Sequence, residues 1–254
     1  MCRLDDEYFR GQVRQNNRIS VVIPALDEEH AIARVIAAIP HWVDEIVVVD
    51  NGSRDDTSIA AQAAGARVIF EGERGYGAAC LAGITALKAP DIIVFLDGDF
   101  SDDPREMEAL VDPIATGDAD FVVGSRVRGH AAAGALTAPQ RAGNWLACLL
   151  LKRIWGTNWT DLGPFRAIRA EALQRLNMQD RTYGWTVEMQ VNAAKAGLRQ
   201  QEVGVSYRPR IGTSKISGTV KGTILAGYTI LKVIARSALM QRGMATKSTS
   251  REYH

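Results

Sequence analysis

Five short apolar runs recur along the first half of the chain: ISVVIP at 19–24, EIVVVD at 45–50, ARVIF at 66–70, DIIVFLD at 91–97 and DFVVGS at 120–125. Between them lie segments with helical spacing: EEHAIARVIAAIP, closed by Pro40; RDDTSIAAQAAG, ended by Gly65; GYGAACLAGITAL; and PREMEALVDPIATG. Strands that are apolar throughout, rather than alternating, have both faces covered. Strand and helix in regular succession therefore predict an α/β fold: a mainly parallel central sheet with helices on both faces, doubly wound. With 254 residues, 46% of them hydrophobic, the chain can bury the core such a sheet needs.

The rhythm changes after about residue 126. RGHAAAGALTAPQ reads as a loop, NWLACLLLKRIWG as an apolar helix and DLGPFRAIR as irregular. WTVEMQVNAAKAG is a helix ended by Gly197, QEVGVSYRPR a strand, and a last helix runs from about Gly218 to Met240. On a helical wheel Val220, Ile224, Gly227, Leu231 and Ile234 share one side of that helix, with Lys221, Lys232 and Arg236 on another. Such a helix either packs on the domain or lies on an anionic membrane surface. The expected organisation is a polar extension over 1–17, one domain over 18–215, an amphipathic helix over 216–242 and a tail over 243–254.

Several classes drop out. A formal charge of +1 gives no field that would favour nucleic acid. Three scattered cysteines and no C-x-x-C motif argue against zinc ribbons and disulfide scaffolds and suit a reducing, cytoplasmic setting. The first 18 residues lack the apolar core of a signal peptide. No apolar stretch reaches the roughly 18–20 residues of a membrane span.

The polar residues collect where strands end. Pro24-Ala25-Leu26-Asp27-Glu28, Asp50-Asn51-Gly52-Ser53, Glu71-Gly72-Glu73-Arg74-Gly75, Asp97-Gly98-Asp99 and Gly124-Ser125-Arg126 all follow apolar runs. Ligands of open α/β sheets bind beyond these carboxyl ends. Gathered carboxylates resist ionisation, and a divalent cation relieves that cost. Oxygen ligands suit Mg²⁺ or Mn²⁺, which marks Asp97 and Asp99 as metal ligands with Gly98 as the tight turn between them. Asp102 or Asp103, just before Pro104, has an ordinary use as a helix cap, and D-G-D is also common turn chemistry.

The ordered stretches VVIPALDEE, IVVVDNGSRDDT, GERGYGAACLAG, VFLDGDFSDDP, VVGSR, DLGPFRAI and YRPRIGTSKISG span residues 20 to about 218. Together they resemble an inverting glycosyltransferase of family 2, of the GT-A fold, on the branch of dolichyl- and polyprenyl-phosphate sugar synthases. The resemblance implies a nucleotide-binding half over about 18–126 and an acceptor half over about 127–215. It implies donor contacts from Pro24, Asp27, Glu28, Asp50, Arg74, Gly75, Gly77, Asp97 and Gly98, and metal ligation by Asp97 and Asp99. Asp27 and Asn51 depart from the family's usual Asn and Asp. Ser101 stands where the family often has Gln, and Asp55 reads as a helix cap.

The resemblance further implies phosphate or acceptor contacts from Arg126, Arg166, Trp185, Arg208, Arg210, Ser214 and Lys215. Arg forks bind phosphate bidentately and Lys as a point charge. Asp99, Asp161 and Glu188 become the catalytic candidates. Glu188 or Asp161 would be the base for an alcohol acceptor, and a phosphate acceptor needs none. The implied partners are a nucleoside-diphosphate sugar, UDP-linked by preference, a lipid phosphate, the inner face of a membrane and a membrane protein or second copy of the chain. Other acceptors with the same donor remain open: glycolipid, polysaccharide or small alcohol.

Rival readings are weaker. Gly75-Tyr76-Gly77 is half a dinucleotide fingerprint, but Cys80 holds the third glycine's place and the motif follows the third strand. A nucleotidyltransferase would carry a glycine-rich basic loop after the first strand, where this chain has PALDEE. A non-catalytic sugar-nucleotide module would have little use for both Asp97 and Asp99.

Overall fold

The structure, a computed structural model, describes residues 11, 13–14, 16–212 and 220–249. Seven strands form one sheet in the order β3-β2-β1-β4-β6-β5-β7. They are β1 (Ile19–Ala25), β2 (Glu45–Asp50), β3 (Arg67–Phe70), β4 (Ile92–Phe95), β5 (Phe121–Ala131), β6 (Arg166–Arg169) and β7 (Gln200–Tyr207). The first four run parallel, with Val22 beside Val47 and Phe95 in the two neighbouring strands. The interiors of β1, β2 and β4 are valine and isoleucine and almost wholly buried, as strands covered on both faces must be, while β3, at the sheet edge, is half-buried and ends in exposed Phe70.

One face is covered by α1 (Ile32–Ala38), α2 (Thr57–Ala63) and α4 (Met107–Ala115). The other carries α3 (Tyr76–Ala86), α5 (Ala138–Trp155), α6 (Ala170–Leu176), α7 (Trp185–Lys195) and α8 (Val220–Thr249). The strand order reverses between β1 and β4, the switch point where such sheets bind ligands. The loops after β1 and β4 flank that crevice.

Three expectations change. The segment DLGPFRAIR supplies a strand: β6 inserts antiparallel between β4 and β5, pairing Phe95 with Arg166 and Val123 with Arg166. The run Arg166-Ala167-Ile168-Arg169 begins and ends in arginine, so no continuous apolar stretch marks it as a strand. The expected loop after Arg126 is shorter, because β5 continues to Ala131 and pairs there with β7 after an irregularity between Ser125 and His130. Its far end closes at Thr137, which opens α5 with a capping box to Gln140, while left-handed Gly156 ends the helix.

On α8 the buried side is rotated from the expected stripe. Ile230, Val233 and Ile234 pack into the core, while Leu231 is exposed. The polar extension over 1–10, the tail beyond 249, and Ser214 and Lys215 lie outside the described residues.

Candidate active site

Two cavities meet over the ends of β1 and β4. The first, of about 370 Å³, is bounded by Pro24, Glu28, Asn51, Arg74, Gly98 and Arg210 among others. The second, of about 750 Å³, runs under α5 and α8. Tyr76, Asp97, Asp99, Tyr183 and Arg210 line both.

The loops of the first cavity hold one another. Asn51 spends its whole side chain on the next loop: its amide donates to the Glu71 and Glu73 carbonyls at 3.0 and 2.7 Å, and its oxygen accepts from Gly75 at 2.8 Å. Arg74 donates to the Gly52 carbonyl at 2.7 Å. Asp50 does not line the cavity. Its carboxylate accepts from the Ser53 amide at 2.7 Å and the Ser58 hydroxyl at 2.5 Å. Burial works against its charge, yet Ser58 and Ser53 hold it below the usual carboxylate range. Asp27, left-handed at φ +53°, accepts from Arg54 at 2.7 Å and also stays off the cavity wall. Asp55 is not the expected cap: it accepts from the Thr57 amide at 3.1 Å in the turn before α2, and the capping position is Asp56, whose side chain makes no cap bond.

Gly75 and Gly77 owe their identity to close approach rather than to a base. A Cβ on Gly75 would overlap the Arg181 carbonyl oxygen, and one on Gly77 the Asp180 carbonyl oxygen. The amides of Gly77 and Ala78 donate to the Thr182 and Arg181 carbonyls at 3.1 and 2.9 Å. Two of the first three amides of α3 are therefore spent on the 180–182 loop and are not open to an anion.

Asp97 and Asp99 stand at the junction. Asp97 accepts from the Tyr76 hydroxyl at 3.1 Å. Burial and then the neighbouring Asp99 raise its pKa to about 7. Asp99 is 5% exposed and accepts from the Ser101 amide at 2.9 Å. The Arg210 guanidinium lies 3.3 Å from Asp99 and 2.5 Å from Glu28, tying the ends of β4, β1 and β7 together. Among the described residues no three His, Cys, Asp or Glu side chains form a complete cation cage. The donor set is instead two carboxylates at an open crevice, which fits Mg²⁺ or Mn²⁺ completed by phosphate oxygens and water. The elevated pKa of Asp97, raised by burial and then by Asp99, shows the same fit, since a cation would favour the charged carboxylate against both.

The other two aspartates part ways. Asp103 caps the short 3₁₀ turn at Pro104–Glu106 through the Arg105 amide, at 3.2 Å. Asp102 is 2% exposed, bridges Tyr207 through its backbone, and has no hydrogen-bond partner for either carboxyl oxygen among the described residues. Burial and then Asp97 push its pKa well above the ordinary range.

Five acceptor-side expectations are corrected. Trp185 is fully buried, edge-on to Phe95 at 4.7 Å and Tyr76 at 6.2 Å, so no sugar reaches its ring. Arg166 is fully buried and donates to the Gly163, Leu162 and Thr186 carbonyls. Burial lowers its pKa to about 10. Asp161 clamps Arg126 through both carboxylate oxygens at 2.6 and 2.8 Å and also takes the Arg126 amide at 2.8 Å. Glu188 accepts from the Gln179 amide at 3.1 Å and the Asp180 amide at 2.8 Å, turned away from both cavities. Arg208 pairs with Asp103 at 2.8 Å over the Phe100 ring. Neither carboxylate proposed as a base faces the cavity, because each is consumed in holding backbone or arginine.

What sequence reading missed lies on α5 and in the 180–184 loop. Arg141, Trp145, Cys148 and Lys152 all line the second cavity. Their spacing of four, three and four residues puts them on one helical face, a period visible in the sequence. Arg141 and Lys152 are exposed and have no ion pair among the described residues. Leu136, Pro139, Leu149, Leu162 and Ile230 make the cavity largely apolar. A third cavity, of about 830 Å³, lies at the outer edge beside β7 and α4 and contains none of the strand-end carboxylates. Its Arg128 is paired to Glu202 at 3.0 Å.

The profile of glycosyl transferase family 2 matches residues 20–176. A glycosyltransferase of Mycobacterium tuberculosis is 40% identical over 220 residues, 85% of this chain and 98% of its own length. A dolichyl-phosphate hexose transferase of Haloferax volcanii is 33% identical, over 87% of this chain and 96% of its own. An undecaprenyl-phosphate mannosyltransferase of Micrococcus luteus is 28% identical, over 86% and 96%. Among solved structures, the fold is similar to glucosyl-3-phosphoglycerate synthase of M. tuberculosis in complex with Mn²⁺, UDP and phosphoglyceric acid. That likeness has a TM-score of 0.74 at 25% identity and covers 90% of this chain and 81% of that one.

Proposed function

The chain belongs to glycosyl transferase family 2 and is a glycosyltransferase; from that premise we propose that it moves a sugar from a UDP-linked donor to a polyprenyl phosphate. The observation that carries the acceptor is the second cavity. It shares Asp97, Asp99 and Arg210 with the first cavity, has an apolar wall, and holds Arg126, Arg141 and Lys152. An anionic head on an apolar tail fits that lining: cations for the phosphate, Leu149, Leu162 and Ile230 for the first prenyl units.

In this reading the first cavity takes the nucleoside diphosphate. Asp97 and Asp99 would hold a divalent ion there, which would supply neutralisation of charge on the leaving diphosphate. Arg210, held between Glu28 and Asp99 on the wall of both cavities, is placed to meet the diphosphate. The nucleophile is an already ionised phosphate oxygen that displaces the diphosphate in line, with inversion at the anomeric carbon. No protein base is required, which agrees with Asp161 and Glu188 being occupied elsewhere.

A membrane-resident acceptor also accounts for the surface around the cavity. Trp145 and Leu146 on α5, and Leu225 and Tyr228 on α8, are exposed beside Arg141, Lys152, Lys232 and Arg236. We place the enzyme on the inner face of a membrane through these two helices. Among the described residues no helix is long and apolar enough to cross a membrane.

A small phosphorylated acceptor is the second reading, favoured by the likeness to glucosyl-3-phosphoglycerate synthase. The test supplies UDP-glucose and GDP-mannose with Mn²⁺ and either undecaprenyl phosphate in detergent or 3-phosphoglycerate, and follows sugar transfer. Product on the lipid, absent with Asp99→Ala, supports the first reading. Product on phosphoglycerate alone would replace it with the second.

A further inference from the structure

We propose that Tyr183 is the residue that recognises the transferred sugar, by a hydrogen bond from its phenol to a ring hydroxyl. This rests on the donor reading above and deepens it.

The sugar must leave the donor cavity and end in the acceptor cavity, so the residues lining both surround the point of transfer. There are five: Tyr76, Asp97, Asp99, Tyr183 and Arg210. Four are already engaged. Tyr76 donates to Asp97, and Arg210 lies against Asp99. These groups, with a cation on the two carboxylates, answer the charge of a diphosphate. Tyr183 is different. It is half-buried, it is neutral, and its hydroxyl has no hydrogen-bond partner and its ring no aromatic neighbour among the described residues. A phenol both donates and accepts, which is what a sugar hydroxyl asks of a neighbour.

The loop that carries Tyr183 is fixed on every other side. The carbonyls of Arg181 and Thr182 are held by the first amides of α3. The Glu188 carboxylate takes the Gln179 and Asp180 amides, and Asp180 takes the Thr182 amide at 2.8 Å. Arg181 is paired to Glu73 at 2.7 Å. At Gly184 a Cβ would come within 2.6 Å of the Asp180 carboxylate and the Val233 methyl, so a larger residue would have to displace both. Trp185 is immobile in the core. Such anchoring of a loop that leaves one tyrosine without a partner, at the meeting of two cavities, is how a binding site is preorganised. It also gives Glu188 a use: it positions the loop.

The experiment measures binding of UDP, UDP-glucose, GDP and GDP-mannose to the full chain with Mn²⁺, for wild type, Tyr183→Phe and Tyr183→Ala. For the base that the wild type binds, Tyr183→Phe should weaken the sugar nucleotide about 2- to 13-fold, the range of one neutral hydrogen bond, and leave affinity for the bare nucleoside diphosphate unchanged. Tyr183→Ala should widen that gap, and discrimination between UDP-glucose and UDP-galactose should narrow in Tyr183→Phe if uracil is the base. Equal affinity for the sugar nucleotide in wild type and both variants would overturn the assignment. So would an equal loss for the bare diphosphate, which would make Tyr183 a nucleotide contact. Failure of the folded wild type to bind any of the four would instead overturn the donor reading itself.

Discussion

Asp161 is 1% exposed at its side chain and holds an arginine, Arg126, that is 14% exposed. Both oxygens and the Arg126 amide are used, so the pair has the geometry that offsets its own desolvation. Burial works against the Arg126 charge, and Asp161 more than restores it. Asp161→Ala should leave that cation uncompensated and cost about 3–5 kcal/mol, read from urea unfolding. A loss below about 1 kcal/mol, with activity abolished, would return Asp161 to the role of base. Asp97 makes a second prediction. Its folded pKa, about 7, lies above the 3.8 of a free aspartate, so the folded state holds the extra proton. That contribution is fully present below about pH 4 and is lost as pH rises toward 7. Buried Asp102 acts in the same direction. The melting temperature of the metal-free chain should therefore fall between pH 5 and about 7.5, and Asp97→Asn should flatten that slope. Mn²⁺ should offset the fall at the upper end, because it binds the deprotonated carboxylates.

At the scale of elements, the 180–184 loop, α3 and α7 form one unit. Gly77→Ala would drive the first turn of α3 off the Asp180 carbonyl, and Glu188→Gln would weaken the hold on two loop amides. Each should cost about 1–3 kcal/mol of stability, measured by thermal or urea unfolding. In Glu188→Gln turnover should fall by about 10-fold or less, since the substitution loosens a support rather than removing a proton acceptor. A loss of a thousandfold or more, with stability unchanged, would sink that view. The parallel strands and their helices could be read from sequence because a fully buried strand and an amphipathic helix each have a period. The pair Asp97–Asp99 could be read because a strand end fixes where a short polar motif points. β6 could not, because its run is bounded by Arg166 and Arg169 and has only two apolar residues between them. Nor could the fates of Trp185, Arg166, Asp161 and Glu188: the same residue types serve a core or a site, and only the packing of α7 against β4 and β6 decides. Tyr183 left no local signal beyond the glycine after it.

At the scale of the molecule, charge and apolar exposure are distributed unevenly although the net charge is only +1. Glu28, Asp97 and Asp99 gather at the crevice, while α5 and α8 show Trp145 at 65% exposure and Tyr228 at 62%, with cations beside them. Two exposed aromatics on neighbouring helices, next to an apolar cavity, form a surface that water alone does not favour. Aromatic side chains favour the headgroup region of a bilayer, and each nearby Lys or Arg adds about 1 kcal/mol of attraction to an anionic surface. The chain should therefore sediment with phosphatidylglycerol vesicles at low salt and less with neutral phosphatidylcholine. Trp145→Ser combined with Tyr228→Ser should reduce that binding about 10-fold or more, given the apolar area withdrawn. The double substitution should also raise the apparent KM for undecaprenyl phosphate in vesicles and leave nucleotide binding unchanged, because neither residue lines the donor cavity. If the double variant sediments with vesicles as the wild type does, the two helices face something other than lipid. A change in its sedimentation coefficient would then identify that something as a second copy of the chain.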